Sequence, residues 1–109
     1  MIKAVQIAEI LSLYRKHGWN LRRVLLSDAL KKSLPDSLEK LFGAAEIISA
    51  EMDAAWFSRP SKENQEAWEL RRLSENPFAL LEVFEADDED VIREETLREL
   101  ETRLKNALI

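Results

Sequence analysis

The stretch "DAAWFSRPSKENQEAWELRRL", residues 53–73, repeats an Ala-Trp phrase on either side of a polar insert. Both sides are read as strands, whose successive side chains point to opposite faces. The insert "RPSKENQ" supplies Pro, Ser and Asn, residues that favour a reversal of the chain. An antiparallel hairpin is the expected result. Upstream the alternation reaches back to residue 46, with Ile48, Ala50, Met52, Ala54 and Trp56 on one side and Ile47, Ser49, Glu51, Asp53, Ala55 and Phe57 on the other. One long strand over 46–57 is predicted, although Ala, Glu and Met are good helix formers. Downstream, "SENP" reads as a tight turn and "FALLEVFE" as a third strand.

Directly opposed residues of a hairpin share a face. Symmetry about Lys62 sets Trp56 against Trp68, Ala54 against Leu70 and Asp53 against Arg71. A second turn between Glu75 and Asn76 sets Leu70 against Leu81, Trp68 against Val83 and Glu69 against Glu82. Two faces follow. One carries Ile48, Ala50, Met52, Ala54, Trp56, Trp68, Leu70, Leu81 and Val83 and is apolar enough to be the core. The other carries Asp53, Glu69, Arg71 and Glu82 beside Phe57, Leu73, Phe78, Leu80 and Phe84. A one-residue slip would exchange the faces of a whole strand.

Helices flank this sheet. Residues 2–17 place Ala4, Ile7, Ala8, Leu11 and Tyr14 three and four apart, and Gly18 accepts the left-handed conformation that ends a helix. At the other end Leu97, Leu100, Leu104, Ala107 and Leu108 form a second stripe. Asp87 or Asp88 can cap that helix, with Glu89 and Asp90 in its first turn, where the helix dipole favours negative charge. "SLPDSLEKLFG" (33–43) is expected to be a short helix with Pro35 in its first turn and Gly43 at its end. "LRRVLL" (21–26) fits a helix or a strand, and the bounding Asn20 and Ser27 favour the strand. The expected fold is a single α+β domain over 1–109: a three- to four-stranded antiparallel sheet with an N-terminal and a C-terminal helix packed on one face.

Composition removes several classes of function. The chain is 46% hydrophobic and 34% charged, with two Gly and three Pro, as in globular rather than disordered proteins. It contains no Cys, so a disulfide framework, a zinc–thiolate site and a thiol nucleophile are excluded. The N-terminal "MIKAVQIAEI" mixes acid and base, and no apolar run is long enough to span a bilayer; neither a membrane partner nor a secretory signal is expected, and the cytoplasm is the default location. His17 is the only His, beside a helix-ending Gly, and no Gly-x-Ser-x-Gly elbow or Gly-rich phosphate loop is present. "EADDEDVIREE" lacks the Gly and the ligand spacing of a calcium loop. No cofactor is expected.

Charge is uneven along the chain. Residues 1–34 hold seven Lys or Arg against two acidic residues, and the remainder hold nine against nineteen, so the halves are expected to attract one another across the fold.

Two resemblances bear on function. A helix followed by antiparallel strands, with Asp53 on one strand and "ELR" (Glu69, Leu70, Arg71) on the next, resembles the restriction-endonuclease-like superfamily, in which an Asp and a Glu-x-Lys hold Mg²⁺ and the Lys assists a water. That resemblance implies a divalent-metal-dependent nuclease-like domain with Asp53, Glu69 and Arg71 as catalytic residues and Asp53, Glu69 and Glu82 around the metal. Arg71 stands where the family has Lys, however, and a guanidinium stays protonated and cannot act as a base. Without a metal, Asp53 and Arg71 would form a cross-strand ion pair worth about 0.2–1 kcal/mol. The order of elements also resembles double-stranded RNA-binding domains, and "YRKHGWNLRR" mixes base and aromatic as single-strand binders do. Yet Asp87, Asp88, Glu89 and Asp90 occupy the place of that family's basic cluster, and the sequence pI is near 5.0. Nucleic acid is disfavoured.

What remains is the second sheet face, where Phe57, Leu73, Phe78, Leu80 and Phe84 offer apolar surface of the kind that partners cover. The leading expectation is therefore a non-catalytic protein–protein interaction or self-associating module, with a homodimer as the commonest arrangement.

Overall fold

The computed structural model describes residues 1–34 and 38–107. Along the chain run α1 (Ala4–Lys16), β1 (Asn20–Leu26), α2 (Asp28–Ser33), α3 (Leu38–Phe42), β2 (Glu46–Ser49), β3 (Ala54–Pro60), β4 (Gln65–Arg72), β5 (Ala79–Glu85) and α4 (Asp90–Asn106). The class is α+β, as expected. The strands form one five-stranded sheet in the order β2-β1-β3-β4-β5, antiparallel throughout except for the parallel pair β1 and β2. "LRRVLL" is thus a strand. Glycine ends two helices at positive φ: Gly18 (+86°) after α1 and Gly43 (+63°) after α3.

The two terminal helices lie on opposite faces of the sheet, not on one. Ile7 and Leu11 of α1 join Val24, Leu26, Ala55 and Phe57 in one cluster, whereas Leu97, Leu100 and Leu104 of α4 join Leu25, Ala54, Trp56 and Trp68 in another. Ala54 and Trp56 alternate with Ala55 and Phe57 along β3, so the clusters are the two sides of one strand. β3 explains the arrangement: from Ala54 to Ser58 every residue is buried, and a strand apolar on both sides must be covered on both. Of the expected helical stripes, Ala8 and Ala107 are exposed, and Leu108 lies outside the described residues, as does Pro35.

The strand expected over 46–57 is two strands. β2 ends at Ser49, the chain crosses the end of β1, and β3 begins at Ala54 on the other side of it. Three hydrogen bonds hold the crossing. Ala50 N–H donates to Leu26 O (2.9 Å), and Asp53 accepts both the N–H and the hydroxyl of Ser27 (2.7 and 3.1 Å). Ser27 in turn caps α2, its Oγ accepting Leu30 N–H at 3.2 Å. Helices α2 and α3 carry the crossover that a parallel pair requires, and Leu30, Leu34 and Phe42 pack it on the α1 side.

Both hairpin registers differ from expectation. β3 and β4 pair Trp56 with Leu70 and Ser58 with Trp68, two residues from the symmetric register about Lys62. An even shift leaves faces intact, so Trp56 and Trp68 still meet on one side, edge to face, with centroids 6.1 Å apart. β4 and β5 pair Leu70 with Leu80 and Trp68 with Glu82, one residue off. That odd shift turns β5 over. The shift comes with an odd-length connection: Arg72 N–H donates to Phe78 O (2.9 Å), which leaves residues 73–77 between the strands, while Leu73 N–H donates back to Asp53 O of the β3 side (2.8 Å). No helix among the described residues is long and apolar enough to cross a membrane.

Candidate functional site

The four residues of the nuclease-like pattern do not converge. Asp53 spends its carboxylate on Ser27, off the end of β3, and Leu73 rather than Arg71 lies beside it. Glu69 and Arg71 project on the α1 side of β4, opposite Phe57 and Ala55. There Glu69 accepts the hydroxyl of Tyr14, and Arg71 Nε donates to Arg72 O at 3.1 Å. Glu82 stands on the α4 side, opposite Trp68. The expected ion pair between Asp53 and Arg71 is therefore not formed, and among the described residues no three His, Cys, Asp or Glu side chains are grouped to hold a metal ion.

Tyr14 shows what Glu69 does instead. The phenol ring stacks on Phe57 (4.0 Å, 15°), and burial, then the hydrogen bond and charge of Glu69, raise its pKa well above the ordinary tyrosine range. It remains a neutral donor that ties α1 to β4.

On the α4 side the aromatic and basic residues find partners within the fold. Trp56 Nε1 donates to Glu101 Oε2 (2.7 Å) and Trp68 Nε1 to Glu66 Oε1 (2.6 Å). A bulge in β1 between Leu21 and Arg23 brings Arg22 and Arg23 to the same side. Arg22 lies 4.8 Å over the Trp68 ring and donates to Ser58 Oγ (3.0 Å), and Arg23 grips Glu94 through both terminal guanidinium nitrogens, Nη1 and Nη2 (3.0 and 2.6 Å). Glu46 adds a contact to Arg23 at 3.5 Å. The pairing of basic N-terminal with acidic C-terminal residues is thus visible at Arg23. These arginines are engaged within the fold.

The five residues expected to form an interaction face are separated. Phe57 and Leu73 are buried on the α1 side, Phe84 is buried and Leu80 half-buried on the α4 side, and Phe78 is 38% exposed in the loop before β5. Among the described residues, the large apolar side chains exposed on the sheet are Leu81 (56%) and Val83 (44%), both assigned to the core by the sequence pattern. The turned-over β5 puts them on the α1 side, but α1 sits over β1, reaches β4 through Tyr14 and Glu69, and leaves β5 on that face open. A shallow cleft there runs from Leu81 and Val83 past Ala67 and Glu69 to His17 and Trp19 at the end of α1. At its far wall Arg59 stacks on Trp19 (4.3 Å) and donates to His17 O (2.8 Å).

β5 is also an edge strand. Phe78 O and Ala86 N–H bond toward β4, to Arg72 N–H and Asn64 O, so in the antiparallel alternation the even-numbered residues of β5 face β4 and the odd-numbered ones face outward. The outward groups belong to Ala79, Leu81, Val83 and Glu85. Only the last is engaged among the described residues, its N–H donating to Asp88 Oδ2 at 2.9 Å. No known protein family matches the chain, and neither does any curated protein or solved structure.

Proposed function

We propose that this protein is a non-catalytic association module whose partner is a second copy of itself. One observation carries the proposal: exposed Leu81 and Val83 coincide with the unpaired outer edge of β5. An edge strand with apolar side chains and free backbone groups is a template for another strand, and proteins that leave such an edge alone usually shorten it, bend it or charge it. β5 is seven residues long, with neither Pro nor Gly within it. A two-fold partner is the simplest occupant, because a strand edge offers donors and acceptors in alternation and is complementary to itself.

The contact is small. Interfaces burying less than about 1,200 Å² belong to weak or transient complexes, so dissociation in the micromolar range is expected. Sedimentation velocity at increasing concentration tests this. The wild type is expected to shift toward dimer at tens to hundreds of micromolar, and Leu81→Lys to remain monomeric with unchanged far-ultraviolet dichroism. A wild-type chain that stays monomeric throughout that range would refute self-association.

A further inference from the structure

The free part of the β5 edge is bracketed, and the brackets select a register. On one side Pro77 has no N–H to offer; on the other, the N–H of Glu85 is already taken by Asp88. Between them the outward residues with both backbone groups available are Ala79, Leu81 and Val83, and Leu81 is their midpoint. We infer that two copies pair β5 with β5 in antiparallel fashion about a two-fold axis through Leu81, joining two five-stranded sheets into one. This rests on the self-association proposed above and specifies how it is made.

In that register Leu81 meets Leu81 and Ala79 meets Val83, so every free outward residue of each copy exchanges both of its hydrogen bonds. Side chains agree with the backbone. The Leu81 pair and the Val83 and Ala79 pairs are apolar and lie on the face that α1 leaves open, while on the α4 side Leu80 stands opposite Glu82. Neighbouring registers are worse. An axis through Glu82 sets two carboxylates directly opposite each other and pairs Ala79 with the occupied Glu85. An axis through Leu80 pairs Val83 with Pro77, which cannot donate. An axis through Val83 sets Leu81 against Glu85. Opposed like charges and missing ladder bonds both disfavour pairing.

The chain contains no Cys, so single cysteines report the register without background. Opposed hydrogen-bonded residues have Cα atoms about 5.5 Å apart, within disulfide reach. Leu81→Cys is expected to form a covalent dimer under oxidised glutathione at least tenfold faster than Val83→Cys, whose two copies would lie about four residues apart along the strands, or roughly 13 Å. A mixture of Ala79→Cys and Val83→Cys chains is expected to form the mixed dimer in preference to either homodimer. Dimer by sedimentation without preferential linkage at position 81 would overturn the pairing and leave self-association standing. Equal linkage of Val83→Cys to itself would overturn the register. A monomer by sedimentation, with no linkage above the rate of unfolded chain, would remove both.

Discussion

Asn64 is the non-glycine residue at positive φ among the described residues (+60°), and it sets the first hairpin. Ser61 N–H donates to Gln65 O at 3.0 Å, closing a three-residue connection over Lys62, Glu63 and Asn64 whose last member must be left-handed. Asn tolerates that conformation; a β-branched residue does not. Asn64→Val is expected to cost about 1–2 kcal/mol and Asn64→Gly to change stability by less than about 0.5 kcal/mol, measured by urea denaturation. Equal stability of the Val variant would mean that the left-handed turn is not needed for the register. The Asn was visible in "KENQ", but composition marks a turn region more readily than it marks the centre of the turn, hence the two-residue offset. The role of Asp53 was invisible for a different reason. Its partner Ser27 is distant in sequence, and nothing in a strand-like alternation reveals that a carboxylate will leave the sheet to hold a crossing chain.

Among the elements, α1 and α4 were legible from their long helical periods and β4 and β5 from the turn residues that bound them, whereas β3 was merged with β2 because alternation does not mark where the chain leaves the sheet. Helix α2, at six residues, is too short for a helical period to stand out, although Ser27-Asp28 is an N-cap signature. The most informative link between elements is Arg23 with Glu94, which joins β1 to α4 across the sheet face. Arg23 hydrogen-bonds the Glu94 carboxylate and holds its pKa below the ordinary glutamate value. A folded-state pKa below the unfolded one adds stability that is complete above the unfolded pKa, about 4.3, and is lost as pH falls through the folded value. Glu94 remains 42% exposed, so solvent screening limits the contribution to about 1 kcal/mol. Arg23→Met, which keeps the apolar stem, is expected to lower the urea midpoint at pH 7, with the difference from wild type shrinking as pH falls from about 5 to about 3. A difference independent of pH would assign the loss to packing alone.

For the whole molecule, charge bears on the proposed association. Each copy carries a net −5, and across the proposed seam the two Glu82 residues lie one diagonal step apart. Raising salt from about 0.1 M to about 1 M shortens the screening length from about 10 Å to about 3 Å, so the dimer is expected to tighten several-fold by sedimentation. Weakening with salt would point instead to an interface held by opposite charges. The sequence by itself determined the α+β class, the terminal helices, the Trp56 and Trp68 neighbourhood and the absence of thiol chemistry, because these depend on local period and on composition. Tertiary structure decided which helix covers which face, where the 46–57 alternation breaks, and which side of β5 is wet. Alternation states only that neighbours point opposite ways. Which way is set by loop parity, and closure of the β4–β5 ladder at Arg72 and Phe78, around an odd number of residues, gives β5 the opposite parity to a turn centred between Glu75 and Asn76.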